Sequence, residues 1–270
     1  MRFALGPRSS SAGYKLAAFD RAGSTNAEAM ARAREGERGP MWFVTSEQTA
    51  GRGRRNRPWI VPRGNLASSI LEVLHVVPPV AATLGFAAGL AAEAALRQVS
   101  AEAARRSALQ NLPNFSLKWP NDVLADGKKI VGINLEAESL SSSELAVVVG
   151  IGSNVVASPE GTPTPAISLA ALGVHVSAGE LFAALSDSWA EFRDIWNNGQ
   201  GFDQLRKQWL ARAAGLGQAV AIKSGASTIE GTFDTIDELG CMIVRTSQGG
   251  RVPITAGDVY FGSAASVGAV

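Results

Sequence analysis

Cysteine occurs once in the 270 residues, at Cys241. A lone thiol excludes an intramolecular disulfide and any cysteine-based zinc site, and its apolar neighbours predict a buried, inert group. Histidine is nearly as scarce: His75 and His175 stand a hundred residues apart without a partner at ligand spacing. Neither is expected to catalyse or to bind a metal. No unbroken run of about 18 apolar residues is present to span a bilayer. The N-terminus also lacks the apolar stretch of about 7–15 residues that a secretory signal needs. A cytoplasmic protein without a membrane partner is the expectation. Neither charge sign is in excess, since 25 Lys and Arg face 24 Asp and Glu for a formal net charge of +1. What the chain does have is 46% hydrophobic and 18% charged residues, enough for one substantial core and a small satellite domain.

Against that neutral background, residues 51–57 read GRGRRNR, four arginines in seven positions, followed by Pro58 and Trp59. Glycine at alternate places argues against helix and strand, so the segment reads as a loop. Such a loop brings backbone N–H groups and guanidinium forks onto a carboxylate or phosphate. The alternatives at this point are a solvated basic loop and a phosphate-contacting arm of a nucleic-acid-binding protein. The near-neutral charge and the lack of an RGG repeat weigh against the second.

Residues 118–122 read KWPND, and Lys129 follows in the run GKKIVGINLE. Phe115–Trp119 is predicted to be a short strand stopped by Pro120. Asn121 and Asp122 then fall in a turn, and the alternation from Ile130 to Leu135 gives a return strand, so that Lys118 and Lys129 are expected on neighbouring strands of one hairpin.

The remaining pattern alternates strands and helices. Strands are predicted at Ala17–Asp20, Met41–Glu47, Leu66–Leu74, Lys129–Glu138 and Leu145–Gly150. Thr25 with Glu28 matches a capping box for a helix from Asn26 to about Glu35, and Ser177 with Glu180 repeats the signal before a helix reaching about Trp196. An alanine-rich helix is expected from Val80 to Gln98. From Gly217 the texture changes to five short strands with glycine-rich turns, a small barrel by pattern: Ala219–Lys223, Thr228–Ile236, Cys241–Thr246, Gly250–Ile254 and Asp258–Phe261. Residues 1–216 and 217–270 are therefore the expected domains. A unit this small is expected to dock on the larger one.

Taken together, GRGRR, KWPND and the following Lys-Ile-Val-Gly-Ile resemble the catalytic domain of the biotin protein ligases. The resemblance runs in the family's order from about Gly23 to Gly262, through Ser24-Thr25-Asn26, Glu47-Gln48, Gly64-Asn65-Leu66 and Gly150-Ile151-Gly152-Ser153-Asn154. Three departures stand out. Asn56 and Asn134 replace a glycine and an apolar residue, and the connection Ser100–Pro113 is long. Asn tolerates a left-handed backbone best after Gly, so Asn56 does not break the pattern.

The resemblance implies an α+β fold, a mixed sheet packed with helices like that of class II aminoacyl-tRNA synthetases, with an SH3-like C-terminal β-barrel. It implies ATP and Mg²⁺ as co-substrates, biotin as substrate, and no tightly bound prosthetic group or resident metal. The partner it implies is the biotin carboxyl carrier protein or domain of acetyl-CoA carboxylase and related carboxylases. Whether the chain forms a homodimer is left open. With 23 residues before Ser24, too few for a three-helix DNA-binding unit, no specific DNA is expected. Lipoate or octanoate transfer is the alternative within the same fold.

Joining biotin to ATP brings two anions together, so cations rather than a covalent nucleophile carry the rate. Lys129 and Arg52 are the implied catalytic residues. The resemblance assigns biotin to Ser24, Thr25, Gln48, Gly51, Arg52, Gly53, Lys129, Gly132, Gly150 and Gly152. It assigns the nucleotide to Arg54, Arg55, Trp59, Lys118, Trp119, Asn121, Asp122 and Asn154. No residue beyond Gly217 matches a motif well enough to be named.

Overall fold

A computed structural model describes residues 3–59, 61–107, 111–162, 164–224 and 227–261. The element order is α1 (Pro7–Ser11), β1 (Lys15–Phe19), α2 (Thr25–Arg34), β2 (Met41–Thr45), β3 (Leu66–Leu74), α3 (Pro78–Ala82), α4 (Leu84–Arg106), β4 (Phe115–Lys118), β5 (Asp122–Ala125), β6 (Lys128–Ser139) and β7 (Leu145–Ser153). Then follow α5 (Ala178–Trp196), α6 (Phe202–Leu210), β8 (Ala219–Ser224), β9 (Ser227–Ile236), β10 (Met242–Arg245), β11 (Arg251–Ile254) and β12 (Asp258–Phe261).

The first seven strands form one mixed sheet in the order β1-β2-β3-β7-β6-β5-β4. Only β1 and β2 run parallel; the other neighbours are antiparallel. Alternation along β3 and β7 gives each sheet face its own core. Leu66, Ile70, Val147, Val149 and Ile151 pack with α4 and α5, while Leu71, Ala146 and Val148 pack with Ala29, Met30 and Ala33 of α2. Both faces of β7 are therefore covered, which explains why LAVVV reads as an unbroken apolar run.

Local chemistry sets the helix ends. At α5 the Ser177 hydroxyl accepts from Glu180 N at 3.2 Å and the Glu180 carboxylate accepts from Ser177 N at 2.8 Å, the reciprocal pair expected from the sequence. At α2 the cap lies one residue earlier than expected. Ser24 is the N-cap, accepting from Ala27 N, and Thr25 is already helical, because the Thr25 hydroxyl is engaged elsewhere. The helix expected over 80–98 is two helices. Thr83 separates them, its hydroxyl donating to Val80 O and accepting from Trp196 Nε1. The second extends to Arg106, since the Ala101–Arg106 run consists of strong helix formers. The first half of the long connection at 100–113 is thus helix, and residues 108–110, like Gly262, lie outside the described residues. Averaged over 18 residues, the Pro78–Arg106 stretch is long and apolar enough to cross a membrane, yet 72% of that window is buried inside the fold.

The chief correction concerns KWPND. Asp122 opens a strand, β5, that pairs with β4 on one side and β6 on the other. Lys118 and Lys129 therefore stand two strands apart, not on one hairpin.

The last five strands form an antiparallel sheet in the order β11-β10-β9-β8-β12. The chain reaches it through 211–214, which lies along the outer side of β4. Leu117 N donates to Arg212 O and Ala214 N donates to Leu117 O, both at 2.8 Å. Arg212 is held in turn by Glu93, a buried carboxylate of α4 that also takes Arg97. At the far side Trp119 Nε1 donates to Gly240 O at 3.1 Å. The second sheet is docked on the first.

Candidate active site

Even-numbered residues of β6 and β7 face the same side as α2, but α2 covers only part of it. At the uncovered end Gly132 pairs with Gly152, and Asn134 with Gly150. Three bare backbones there leave a floor. A Cβ at Gly152 would lie 2.2 Å from Trp59 Nε1, one at Gly132 2.8 Å from Trp59 Cζ3, and one at Gly150 2.3 Å from Asn26 Oδ1. The resemblance implies a ligand against these glycines; in the structure they admit the Trp59 indole and the Asn26 carboxamide. Above the floor is a cavity of about 350 Å³, lined from many parts of the chain, among them the start of α2, the arginine loop, the KWPND–β6 region and the start of β12.

The arginine loop is a loop, as expected, with one tight turn at Arg54–Asn56. Asn56 takes a left-handed φ of 57°, the conformation that made it an acceptable substitute for glycine, and Arg55 is left-handed too at 56°. The turn is pinned by Gly53 N donating to Arg57 O at 2.8 Å and Trp59 N donating to Gly51 O at 2.9 Å. Gly51 permits that approach, because a Cβ there would meet Gln48 Nε2 at 2.2 Å and Trp59 O at 2.4 Å. The four arginines divide. Arg54 is half-buried and donates to Asn121 Oδ1 at 3.0 Å, while Arg55 and Arg57 pair with Asp258 of β12 at 2.9 and 2.6 Å. Arg52 is exposed and lines the cavity. Burial alone would raise the Asp258 carboxyl, but the hydrogen bond from Arg57 and the surrounding guanidinium charges hold it below the usual aspartate value. Burial, helped by Arg55, pulls Arg54 down from the ordinary arginine value.

At one end a polar chain runs through the floor. Gln48 Oε1 accepts from Thr25 N at 2.9 Å; the Thr25 and Ser69 hydroxyl oxygens are 2.7 Å apart; Ser69 donates to Asn26 Oδ1 at 2.6 Å. Asn26 Nδ2 and Asn134 Nδ2 both donate to Glu136 Oε1, at 2.9 and 3.1 Å. Thr25 and Gln48 are the expected members; Ser24, expected with them, lines the cavity while its hydroxyl caps α2. Ser69 and Glu136 are absent from the sequence reading, because a serine and a glutamate inside strands carry no motif.

At the other end stand the two lysines. Lys129 Nζ is 2.6 Å from Asp122 Oδ1 and 5.3 Å from the Trp59 ring centroid. Its backbone is fixed as well, N donating to Pro165 O at 2.7 Å and O accepting from Ile167 N at 2.9 Å. Lys118, only 8% exposed, donates to Thr164 Oγ1 at 3.0 Å. Burial lowers its pKa, against the pull of Asp122. Two strands apart in the ladder, both lysines reach the same cavity. Asn121 donates to Ile133 O and Asn154 to Ile167 O, so each is held by the wall it helps to form. Trp119, at 2% exposure, has its N–H committed to Gly240. The segment around Pro159, Glu160, Thr162 and Thr164 also lines the cavity, as do Gly257–Tyr260. Neither stretch carries a sequence signal beyond that of a loop or a short strand. Among the described residues no three His, Cys, Asp or Glu side chains gather as a metal cluster.

The arrangement is a cleft with hydrogen-bonding groups at one end and lysine and arginine at the other, suited to a ligand whose far end is an anion. Comparison with known proteins agrees with that chemistry. Residues 21–154 match the biotin/lipoate A/B protein ligase family, and residues 215–262 match the biotin protein ligase C-terminal domain. The chain is 38% identical over 248 residues to a biotin--[acetyl-CoA-carboxylase] ligase of Paracoccus denitrificans, covering 90% of this chain and 98% of that one. It is 34% identical to a protein of the same name from Mycobacterium tuberculosis, covering 88% and 85%. Among solved structures, a biotin protein ligase from Aquifex aeolicus in complex with biotin and ATP superimposes with a TM-score of 0.71 at 25% identity, over 92% of this chain and 98% of that one.

Proposed function

The chain belongs to the biotin protein ligase family, and from that premise we propose that it joins biotin to ATP as biotinyl-5'-AMP and passes biotin to a lysine of a carboxyl carrier protein. The observation that carries this reading is the convergence on one cavity of Ser24-Thr25, Gln48, the arginine loop, KWPND, Lys129 and Asn154, pieces spread over more than a hundred residues.

In the first step a biotin carboxylate oxygen bonds to the α-phosphorus and the bond to the departing pyrophosphate breaks. Two anions must approach, and the fixed Lys129 cation offsets their repulsion. Asp122 keeps that cation neutralised until the anions arrive, then yields it. Arg52 and Arg54 face the phosphates. Gln48 and Thr25 offer the polar contacts for the ureido ring, and Ser24, Gly51 and Gly53 stand beside them. Trp59 is the aromatic surface between Lys129 and the glycine floor, available to the adenine. Mg²⁺ would come in on the triphosphate and would neutralise charge there, with Asp122 and Glu160 at the cavity as the one or two carboxylates that could hold such an ion. In the second step the carrier amine attacks the mixed anhydride carbonyl, and AMP leaves. The chain has no carrier sequence of its own, so the acceptor lysine comes from another protein.

Purified protein, ATP, Mg²⁺ and either biotin or lipoate, incubated with a carboxylase carrier domain, tests this by mass spectrometry. A mass gain of one biotinyl group is expected. A gain with lipoate and none with biotin overturns the proposal.

A further inference from the structure

Asp258 opens β12 in the second sheet, yet its carboxylate belongs to the arginine loop more than two hundred residues earlier. Oδ2 accepts from Arg57 Nη2 at 2.6 Å and from Arg55 Nη1 at 2.9 Å. From the opposite flank Asn121 accepts from Arg54. The loop is thus gripped from both sheets, and its remaining arginine, Arg52, is turned to the cavity.

An exposed ion pair of this kind ordinarily contributes little. Three circumstances set this one apart. The Asp258 side chain is only 26% exposed and receives two guanidinium groups. It answers four like charges in seven positions, which repel one another and otherwise favour an open loop. And the element that carries it is not free to follow the loop, since β8–β12 are fastened by Trp119 to Gly240 and by the pairing of 211–214 with β4.

We propose that Asp258 is a positioning residue for adenylation: it holds Arg55 and Arg57 on the second sheet so that Arg52 and Arg54 face the anionic substrates. The proposal rests on the ligase reading above. Asp258 itself does not touch the reacting atoms, and its effect on the chemistry passes through the arginine loop.

Asp258→Asn keeps the shape and removes the charge. Two measurements read the result. In the protein without substrates, trypsin cleavage after Arg54 and Arg55 is expected to accelerate about tenfold, the scale of losing charge-assisted hydrogen bonds at a part-exposed site. In pyrophosphate release, KM for ATP is expected to rise about tenfold while kcat stays within about threefold, because positioning of the nucleotide is lost and not the reacting cation. Asp258→Glu should restore both, and Arg57→Gln, which leaves the two cleavage sites in place, should reproduce the cleavage change without adding to that of Asp258→Asn. Wild-type cleavage rates in Asp258→Asn overturn the proposal, as does a fall in kcat at unchanged KM. Cleavage needs no substrate, so a wild-type protein that releases no pyrophosphate from biotin and ATP, with the cleavage difference intact, would sink the ligase reading instead.

Discussion

Lys129 Nζ and Asp122 Oδ1 lie 2.6 Å apart, an ion pair joining β6 to β5 on the cavity wall, with side chains 23% and 13% exposed. A pair this enclosed is costly to halve, since the survivor is left as an unmatched charge. It also lets a lysine lie beside the arginines of the cavity with a counter-charge of its own.

Lys129→Ala is therefore expected to do two separable things. It should raise the adenylation barrier by about 3–4 kcal/mol, read as loss of pyrophosphate release. It should also lower the urea midpoint by leaving Asp122 unpaired. Lys129→Ala combined with Asp122→Asn should recover the midpoint and not the activity. Near-native turnover in either variant excludes Lys129 from the chemistry. Lys118→Ala, whose amine rests on Thr164, should cost less.

Gly152→Ala tests the floor. The new methyl would overlap the Trp59 indole, so the ring must move and the cavity changes shape. We expect biotin KM to rise by about tenfold or more, with the fold retained, as for about 1–3 kcal/mol of overpacking. The difference in tryptophan emission against a Trp59→Phe background should vanish when Trp59 is absent. An unchanged KM and emission spectrum would show that the indole does not lie there.

On the opposite face of the sheet, Glu72 of β3 is buried with Arg193 Nε at 3.2 Å. Burial raises the Glu72 carboxyl above its ordinary 4.5, and Arg193 opposes the rise. A carboxyl raised on folding stabilises below the unfolded value and loses that contribution as pH climbs through the folded one. Arg193→Met removes the opposition. It should cost about 3–5 kcal/mol at neutral pH, with the loss shrinking toward pH 4.5. Equal losses at both pH values in chemical denaturation would contradict this account.

Glu180 behaves in the opposite sense. Hydrogen bonds from Ser177 N, Arg106 and the Ser177 hydroxyl lower its pKa from 4.5 to about 2. Its contribution is complete above 4.5 and is lost as pH falls from there toward 2. Glu180→Gln should cost about 1 kcal/mol at pH 7, the usual worth of a helix cap at an exposed site. It should also flatten the acid limb of the stability curve; an unchanged limb would assign that limb to other carboxylates.

The parts of the fold legible in the sequence are those whose signals are local. Leu66–Leu74 and Asp258–Phe261 were bounded correctly because apolar residues end at turn formers, and Ala178–Trp196 because its cap is reciprocal. β5 was missed since Asp-Val-Leu-Ala between Asn121 and Asp126 is too short to show a period, and Asn-Asp reads first as a turn. Displacing the cap from Thr25 to Ser24 required knowing that Ser69 and Gln48 claim the threonine hydroxyl. In the cavity, most residues bearing a motif could be nominated, though Asn26 was quoted in its motif and given no role. Asp258 on the wall, and Ser69 and Glu136 in the hydrogen-bonded chain of the floor, could not, for each gains its place only when strands distant in sequence come into register.

The strip at 211–214 lies against β4, which would otherwise be the outermost strand of the seven-stranded sheet on that side. A bare outer strand invites pairing with another molecule, and this one ends at Lys118 beside the ligand cavity. By laying its own backbone on Leu117, the chain fills part of that edge from within. It does so with the same residues that deliver it to the second sheet, so the covering of the edge and the routing of the chain are inherited together.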